Sequence, residues 1–177
     1  MDNPRLSDYP NIGVLGEDLV ARHLEAQGWK ILHRRWRCAW GEIDLIAQNL
    51  DDSRLQTQDS RFFTPLVFVE VKTRSRGNWD ADGLLSITPQ KQAKLCKAAQ
   101  LFLASRPDLA DLPCRFDVAL VSCHRLPHRN LQDKKSLNLS AAEEAIARPP
   151  VMVGEAIFVA GYRLLLQDYI KAAFDSA

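Results

Sequence analysis

Cysteine is sparse and unpatterned in this chain. Its four residues, Cys38, Cys96, Cys114 and Cys123, form no C-x-x-C pair, which argues against a disulfide framework and against the closely spaced thiolates of a zinc site. Histidine is as scarce, and His124 and His128 lie in a polar stretch that reads as loop rather than metal site. No apolar run approaches the ~20 residues that cross a bilayer. Residues 1–11 lack the basic and apolar regions of a signal peptide, so a cytoplasmic protein without membrane contact is expected. Net charge is nearly absent too. Lys and Arg total 23 against 22 Asp and Glu, leaving +1, so any surface that attracts a polyanion must be local. At 177 residues with 46% hydrophobic content, the chain can bury one core and is too short for two full domains. We therefore expect a single domain over 1–177.

What is present is acid in unexpected places. Gly41-Glu42-Ile43-Asp44-Leu45-Ile46 and Phe68-Val69-Glu70-Val71-Lys72 both read as β-strands, and both carry charge within an apolar run. Side chains alternate along a strand, so Glu70 and Lys72 share one face while Val69 and Val71 take the other. By the same rule Asp44 is expected to share a face with Glu42 and Ile46, opposite Ile43, Leu45 and Ala47. A charge inside a core strand is unfavourable unless something pairs it. Two such strands side by side would gather two carboxylates and one ammonium, a setting suited to a metal and a phosphate. Taken alone, Glu70 and Lys72 read equally as a same-face salt bridge on a half-exposed strand, worth ~0–1 kcal/mol.

The elements around these strings follow from periodicity and punctuation. Residues 16–27 read as a helix closed by Gly28, with Val20, Ala21 and Leu24 inward and Glu17 on the same face. Asp18, Arg22 and Glu25 fall on the solvent side. Glu17 could alternatively serve only the positive end of the helix dipole. A strand over 29–37 with Arg34, Arg35 and Arg37 at its basic end leads through Ala39-Trp40-Gly41 into the Asp44 strand, as in a hairpin. Pro65 opens the Glu70 strand, and 74–83 is a glycine-bearing loop. Thr88 and Pro89 supply an N-cap and an N1 proline for a second helix that stops before Pro107. Leu95, Ala98 and Phe102 form its inward stripe, extended by Lys91. Residues 116–123 form a fourth strand, a short helix covers 140–147, and one last strand lies within 157–170. The order predicts an α/β fold with a mixed central sheet flanked by helices, and the two acid-bearing strands, adjacent in sequence, should be adjacent in space. Segments 49–64 and 124–155 read as insertions on a core of about 12–123 plus a C-terminal strand or helix.

An acid in the first helix, an Asp on one strand and Glu-x-Lys on the next together resemble the PD-(D/E)XK nuclease pattern, which includes restriction endonucleases and archaeal Holliday-junction resolvases. Gly16-Glu17, Gly41 to Ala47, Phe68 to Arg74, Thr88-Pro89-Gln90-Lys91 and Arg115-Phe116-Asp117-Val118 resemble more closely the YraN-like family of uncharacterised proteins expected to be endonucleases. The resemblance covers about residues 12–123, with a weaker echo at 169–174. It implies a restriction-endonuclease-like fold and phosphodiester hydrolysis assisted by Mg2+ or Mn2+. Asp44 and Glu70 would hold the cation, with Glu17 contributing directly or through water. Lys72 would orient or deprotonate the attacking water or stabilise charge on the phosphorane, and Gln90 or Lys91 would touch the phosphate. The position that holds proline in the wider superfamily is Ile43 here, as in the closer family.

The chemistry asks for these residue types on its own account. Phosphodiester cleavage builds negative charge on attacking and leaving oxygens, which a cation held by one or two carboxylates can offset. A nucleic acid partner, DNA in the first instance, would meet the basic residues that flank the acidic strings: Arg34, Arg35, Arg37, Arg74 and Arg76, with Lys91, Lys94 and Lys97. Trp36, Trp40 and Trp79 could stack on its bases, although solvated charge and core tryptophans account for the same residues. Asp117, beside Arg115, reads as a structural partner, and Glu42 as either an auxiliary acid or an edge charge. The alternative to an enzyme is a nuclease-fold binding module within a DNA-processing complex.

Overall fold

The computed structural model describes residues 11–49, 65–75, 87–126 and 150–175. Helix α1 (Ile12–Glu25) starts one turn earlier than its apolar spacing predicts, because the Asn11 side chain accepts the Gly13 N–H and caps it. Gly28, at φ 81°, turns the chain out of the helix. Strand β1 (Trp29–Cys38) and strand β2 (Gly41–Asn49) form the expected hairpin around Ala39 and Trp40. Strand β3 (Leu66–Arg74) then pairs antiparallel with β2. Helix α2 (Pro89–Ala104) is capped by Thr88, whose hydroxyl accepts the Lys91 N–H. A short 3-10 turn at Pro107–Leu109 precedes strand β4 (Cys114–Arg125), which runs parallel to β3 across the α2 crossover.

The C-terminal region corrects one expectation. In place of one strand within 157–170, strands β5 (Ala156–Val159) and β6 (Tyr162–Phe174) form an antiparallel hairpin, and no helix follows among the described residues. Its two turn residues, Ala160 and Gly161, both adopt positive φ, 49° and 79°, as a tight primed turn requires. Alanine at the first position does not announce that turn. The sheet order is β1-β2-β3-β4-β6-β5, a mixed six-stranded open sheet in an α/β protein compatible with the restriction-endonuclease-like fold.

Each helix seals one face of this sheet. Leu19, Val20 and Leu24 of α1 pack with Leu45, Ala47, Val67, Val69, Val121 and Leu164. Leu95, Ala98, Ala99 and Phe102 of α2 pack with Ile43, Ile46, Leu66, Phe68 and Phe116. Burying such aliphatic and aromatic side chains stabilises by about 1.5–3 kcal/mol each. Alternation therefore sends Val67 and Val69 to α1, and Leu66 and Phe68 to α2, as expected for β3. On β2 the expected alternation fails at one place. Ile43 sides with Ile46 in the α2 cluster instead of with Leu45 and Ala47.

The cause is local. Leu45↔Val69 is the last rung of the β2–β3 ladder, after which the two strands part. Across from Asp44 on β1, between the pairs Arg34↔Leu45 and Trp36↔Ile43, Arg35 sits at φ 51°, a left-handed conformation unusual for arginine. The pleat resets at Asp44, and a notch opens between β2 and β3.

The segments 49–64 (past Asn49) and 124–155 (its 127–149 part), most of 74–83, the 140–147 helix, Arg76, Trp79 and His128 lie outside the described residues. The four cysteines are free thiols, and among the described residues no helix is long and apolar enough to cross a membrane.

Candidate active site

The notch is where the acids meet. Glu17 reaches it because α1 lies hard against β3. A Cβ added at Gly16 would stand 1.9 Å from the Thr73 hydroxyl oxygen, so only glycine allows this approach. With Gly16 against β3, the next residue, Glu17, is carried to the edge of the notch, buried as its helical position predicts. Glu42 and Asp44 come from β2. One carboxylate oxygen from each of Glu17, Glu42 and Asp44 can be chosen so that all lie within 4.8 Å of one another. Among the described residues no histidine or cysteine joins them.

Asp44 holds the centre. Its Oδ2 accepts the Val71 N–H at 2.7 Å, an amide left free where the ladder ends. Among the described residues it has no ion-pair partner. Burial and then the neighbouring Glu70 carboxylate push the Asp44 carboxyl up to about 7, with the Val71 N–H pulling the other way. Burial likewise raises Glu17 above the usual carboxylate range, opposed chiefly by Arg35. Glu42 is held low by its hydrogen bond from Arg37, then by Arg35.

Glu70 enters from the other helix's side. It is buried, and its Oε1 accepts from Lys72 Nζ at 2.6 Å, while Lys91 Nζ of α2 stands 3.1 Å from Oε2. The Lys91 contact is an ion pair without hydrogen-bond alignment, and Oε2 has no hydrogen bond of its own. Glu70 is thus coupled to Asp44 by charge yet lies outside the compact oxygen group of Glu17, Glu42 and Asp44. Lys72 shares the face of Glu70, as alternation predicts.

The basic residues divide. Arg35 bridges Glu17 at 3.4 Å and Glu42 at 3.2 Å, and so belongs to the acid cluster. Arg37 pairs with Glu42, and Arg34 is tied to Asp18 of α1. Gln90 is exposed in the first turn of α2 and Arg74 is exposed at the end of β3. Trp36 is partly buried and packs against the α2-side core, edge-on to Phe102 at 5.6 Å. Two participants were left open or given another part by the sequence. Glu42 had no assigned role, although its place two residues before Asp44 and five after Arg37 was the available signal. Lys91, expected at the phosphate, also contacts Glu70, which only the packing of α2 on β3 reveals.

Asp117 is the counter-example. It is fully buried and accepts from Arg115 Nε and Nη2 at 2.8 and 2.9 Å, from the Tyr169 hydroxyl at 2.9 Å and from the Ala172 N–H at 2.9 Å. Those bonds hold the bulge where the β4–β6 register shifts. Burial, followed by Asp117, raises the Tyr169 phenol well above its usual range. Tyr169 also packs on His23, whose Nδ1 bonds the Val151 carbonyl at 2.7 Å. This is a structural chain of contacts.

Comparison with known proteins reaches most of this architecture. The model of "Uncharacterised protein family UPF0102" matches residues 16–121, which contain every residue of the notch. A UPF0102 protein of Trichodesmium erythraeum is 50% identical over 96% of this chain and 91% of its own length. One of Acaryochloris marina is 49% identical over 92% and 89%. One of Synechocystis is 42% identical over 93% and 97%.

Proposed function

Because the chain belongs to the UPF0102 (YraN) family, which is of the PD-(D/E)XK type, we propose that the notch is the active site of a metal-dependent nuclease acting on DNA. The observation that carries this reading is Asp44. A partly buried carboxylate with three acidic neighbours and, among the described residues, no ion-pair partner is poised to receive a cation. The donor set fits a hard divalent ion, since among the described residues the groups there that could ligate it are carboxylates, with no thiolate or imidazole. The buried Oε2 of Glu70 makes no hydrogen bond among these residues and is held only by the Lys91 ion pair at 3.1 Å.

Asp44 with Glu17 and Glu70 would hold Mg2+ or Mn2+, with Glu42 as a fourth candidate. When bound, that ion supplies the positive charge that phosphodiester cleavage requires. The chain's own residues do the rest. Lys72 is oriented by Glu70 through its 2.6 Å hydrogen bond, and its ammonium would orient the attacking water or offset charge on the phosphorane. A substrate phosphate entering at the first turn of α2 meets Lys91 and Gln90. Arg35, tied to both Glu17 and Glu42, keeps those two acids from repelling each other apart.

The test is a cleavage panel of linear, nicked, branched and single-stranded DNA with Mg2+ or Mn2+. Wild type should cut at least one substrate, and Lys72→Ala and Asp44→Asn should each lose cleavage by about a hundredfold or more, the scale of one displaced charge-stabilising group. A specific observation favours the rival, a nucleic-acid-binding module. Glu70 is already neutralised by two lysines, as a structural ion pair would be. Binding without cleavage of any substrate would establish that second reading.

A further inference from the structure

Helix α2 carries three lysines and no acidic residue. They recur as Lys91, Lys94 and Lys97, each adjacent to the next on the helix surface, and span about 9 Å along its axis. Lys91 is engaged with Glu70. Among the described residues Lys94 and Lys97 make no ion pair, and the Nζ of Lys97 lies 4.0 Å over the ring of Trp40. Trp40 is 45% exposed at the tip of the β1–β2 hairpin. Trp36 on the same hairpin is, in contrast, partly buried.

Between this hairpin tip and α2 lies a cavity of about 200 Å³. Leu95 and Ala98 form an apolar floor, Trp40 a flat wall, and Lys94 a cationic rim. Glu42 of the acid cluster and Lys91 of the Glu70 pair belong to the same lining. The cavity therefore brings residues of the candidate active site and a half-exposed tryptophan ring into one lining. It is an open depression rather than a sealed chamber, with an aromatic ring, apolar side chains and cations in one lining.

We propose that this slot takes one unpaired nucleobase stacked on Trp40, with the flanking phosphates on Lys94 and Lys97. The substrate class is thereby single-stranded nucleic acid or a duplex with an unpaired tail or flap, and the proposal rests on the nuclease reading above. The physical reason is access. A base inside a duplex has both faces covered by its neighbours and its edge occupied by its partner, so it cannot stack on protein unless it is extruded. An unpaired base offers a free face to an aromatic wall, and a cation already over that ring strengthens the platform. A slot that includes Glu42 in its lining would then hold the nucleotide next to the reacting phosphate.

Equilibrium binding in metal-free buffer tests this apart from cleavage, by fluorescence anisotropy of a short labelled oligo(dT), a blunt duplex, and the same duplex with an oligo(dT) tail. Wild type should favour the two substrates with unpaired bases over the blunt duplex. Trp40→Ala should weaken oligo(dT) binding by about 5- to 150-fold, the range for one lost base–aromatic stack, and leave blunt-duplex binding unchanged. Trp40→Phe should retain most of the affinity, which guards against a folding defect. Lys94→Ala combined with Lys97→Ala should reduce the slope of log affinity against log salt by about 1.4, the release from two single-strand phosphates. Oligo(dT) binding that ignores Trp40→Ala, or blunt-duplex binding that falls equally, overturns the slot. The two proposals fail separately. Oligo(dT) held through Trp40 but never cut removes the nuclease and keeps the slot. Cleavage that is lost in Lys72→Ala, with substrate preference unchanged in Trp40→Ala, keeps the nuclease and removes the slot.

Discussion

Two aspartates lie in the same sheet, and their surroundings differ in kind. Asp117 on β4 receives four hydrogen bonds, two of them from one guanidinium. Among the described residues Asp44 on β2 receives one, from a backbone amide, and faces Glu17, Glu42 and Glu70. Asp117 is fully buried and Asp44 partly so, yet the deeper of the two is the structural one, so burial alone does not mark a functional carboxylate. The partner set does. An aspartate whose lone pairs are filled by its own fold has nothing left for a ligand, whereas one surrounded by like charge stores unfavourable electrostatic energy that a cation relieves.

The contrast breaks most sharply at Asp117. Replacement by Ala leaves Arg115, the Tyr169 hydroxyl and the Ala172 amide without their acceptor, and should destabilise by about 3–5 kcal/mol. Denaturant unfolding measures this, and a loss under about 1 kcal/mol would show that the bulge does not depend on the pair.

Next in size is Gly16→Ala. The added methyl meets the Thr73 side chain, so α1 must shift away from β3 at a cost of about 1–3 kcal/mol. Because Glu17 travels with α1, metal affinity should fall together with stability. Calorimetric titration with Mn2+ on the folded variant checks this, and an unchanged affinity would remove Glu17 from the site.

Asp44→Asn should move stability in the opposite direction to Asp117→Ala. A carboxyl whose folded value is raised to about 7 from an unfolded value near 3.9 binds more protons when folded, so the metal-free protein is favoured in acid. Its penalty is absent below about pH 4, grows as pH rises, and is complete above about pH 7, at about 2 kcal/mol once partial exposure is allowed for. Thermal melts of metal-free wild type should therefore fall between pH 5 and pH 8 relative to Asp44→Asn, in which this contribution is missing. Metal binding has the reverse slope, since the ion must displace that proton, and Mn2+ affinity should weaken as pH drops below about 7. Parallel melting curves for the two proteins would contradict the strained Asp44.

The smallest effect belongs to Arg34→Ala. Its pair with Asp18 is exposed on both sides, so stability should change by about 0–1 kcal/mol. If Arg34 nonetheless contacts substrate, affinity will fall while the melting temperature stays put.

Much of this arrangement was legible in the chain. Thr88-Pro89 marked the start of α2, Gly28 the exit from α1, and Ala39-Trp40-Gly41 the hairpin, because caps, fixed proline φ and glycine freedom act within a few residues. Glu70 and Lys72 shared a face as alternation requires. Where expectation failed, the cause was non-local or lacked a residue signal. Alternation on β2 broke at Asp44 because the β3 ladder ends there and Arg35 turns left-handed across from it. The β5–β6 turn escaped notice because Ala160 occupies a conformation that asparagine or glycine usually announces.

Sequence alone determined that this is an α/β protein with acids embedded in two adjacent strands, a lysine beside one of them, and a first-helix glutamate on an apolar face. Those features follow from periodicity and near-neighbour chemistry, which a linear string carries. Only the tertiary structure decided which distant groups the acids meet: Glu42 with Glu17 and Asp44, Glu70 with Lys91 beyond its neighbour Lys72, Asp117 with Tyr169 beyond its neighbour Arg115. Charge interactions depend on distance through space and on burial, and both are set by the packing of two helices on opposite faces of one sheet.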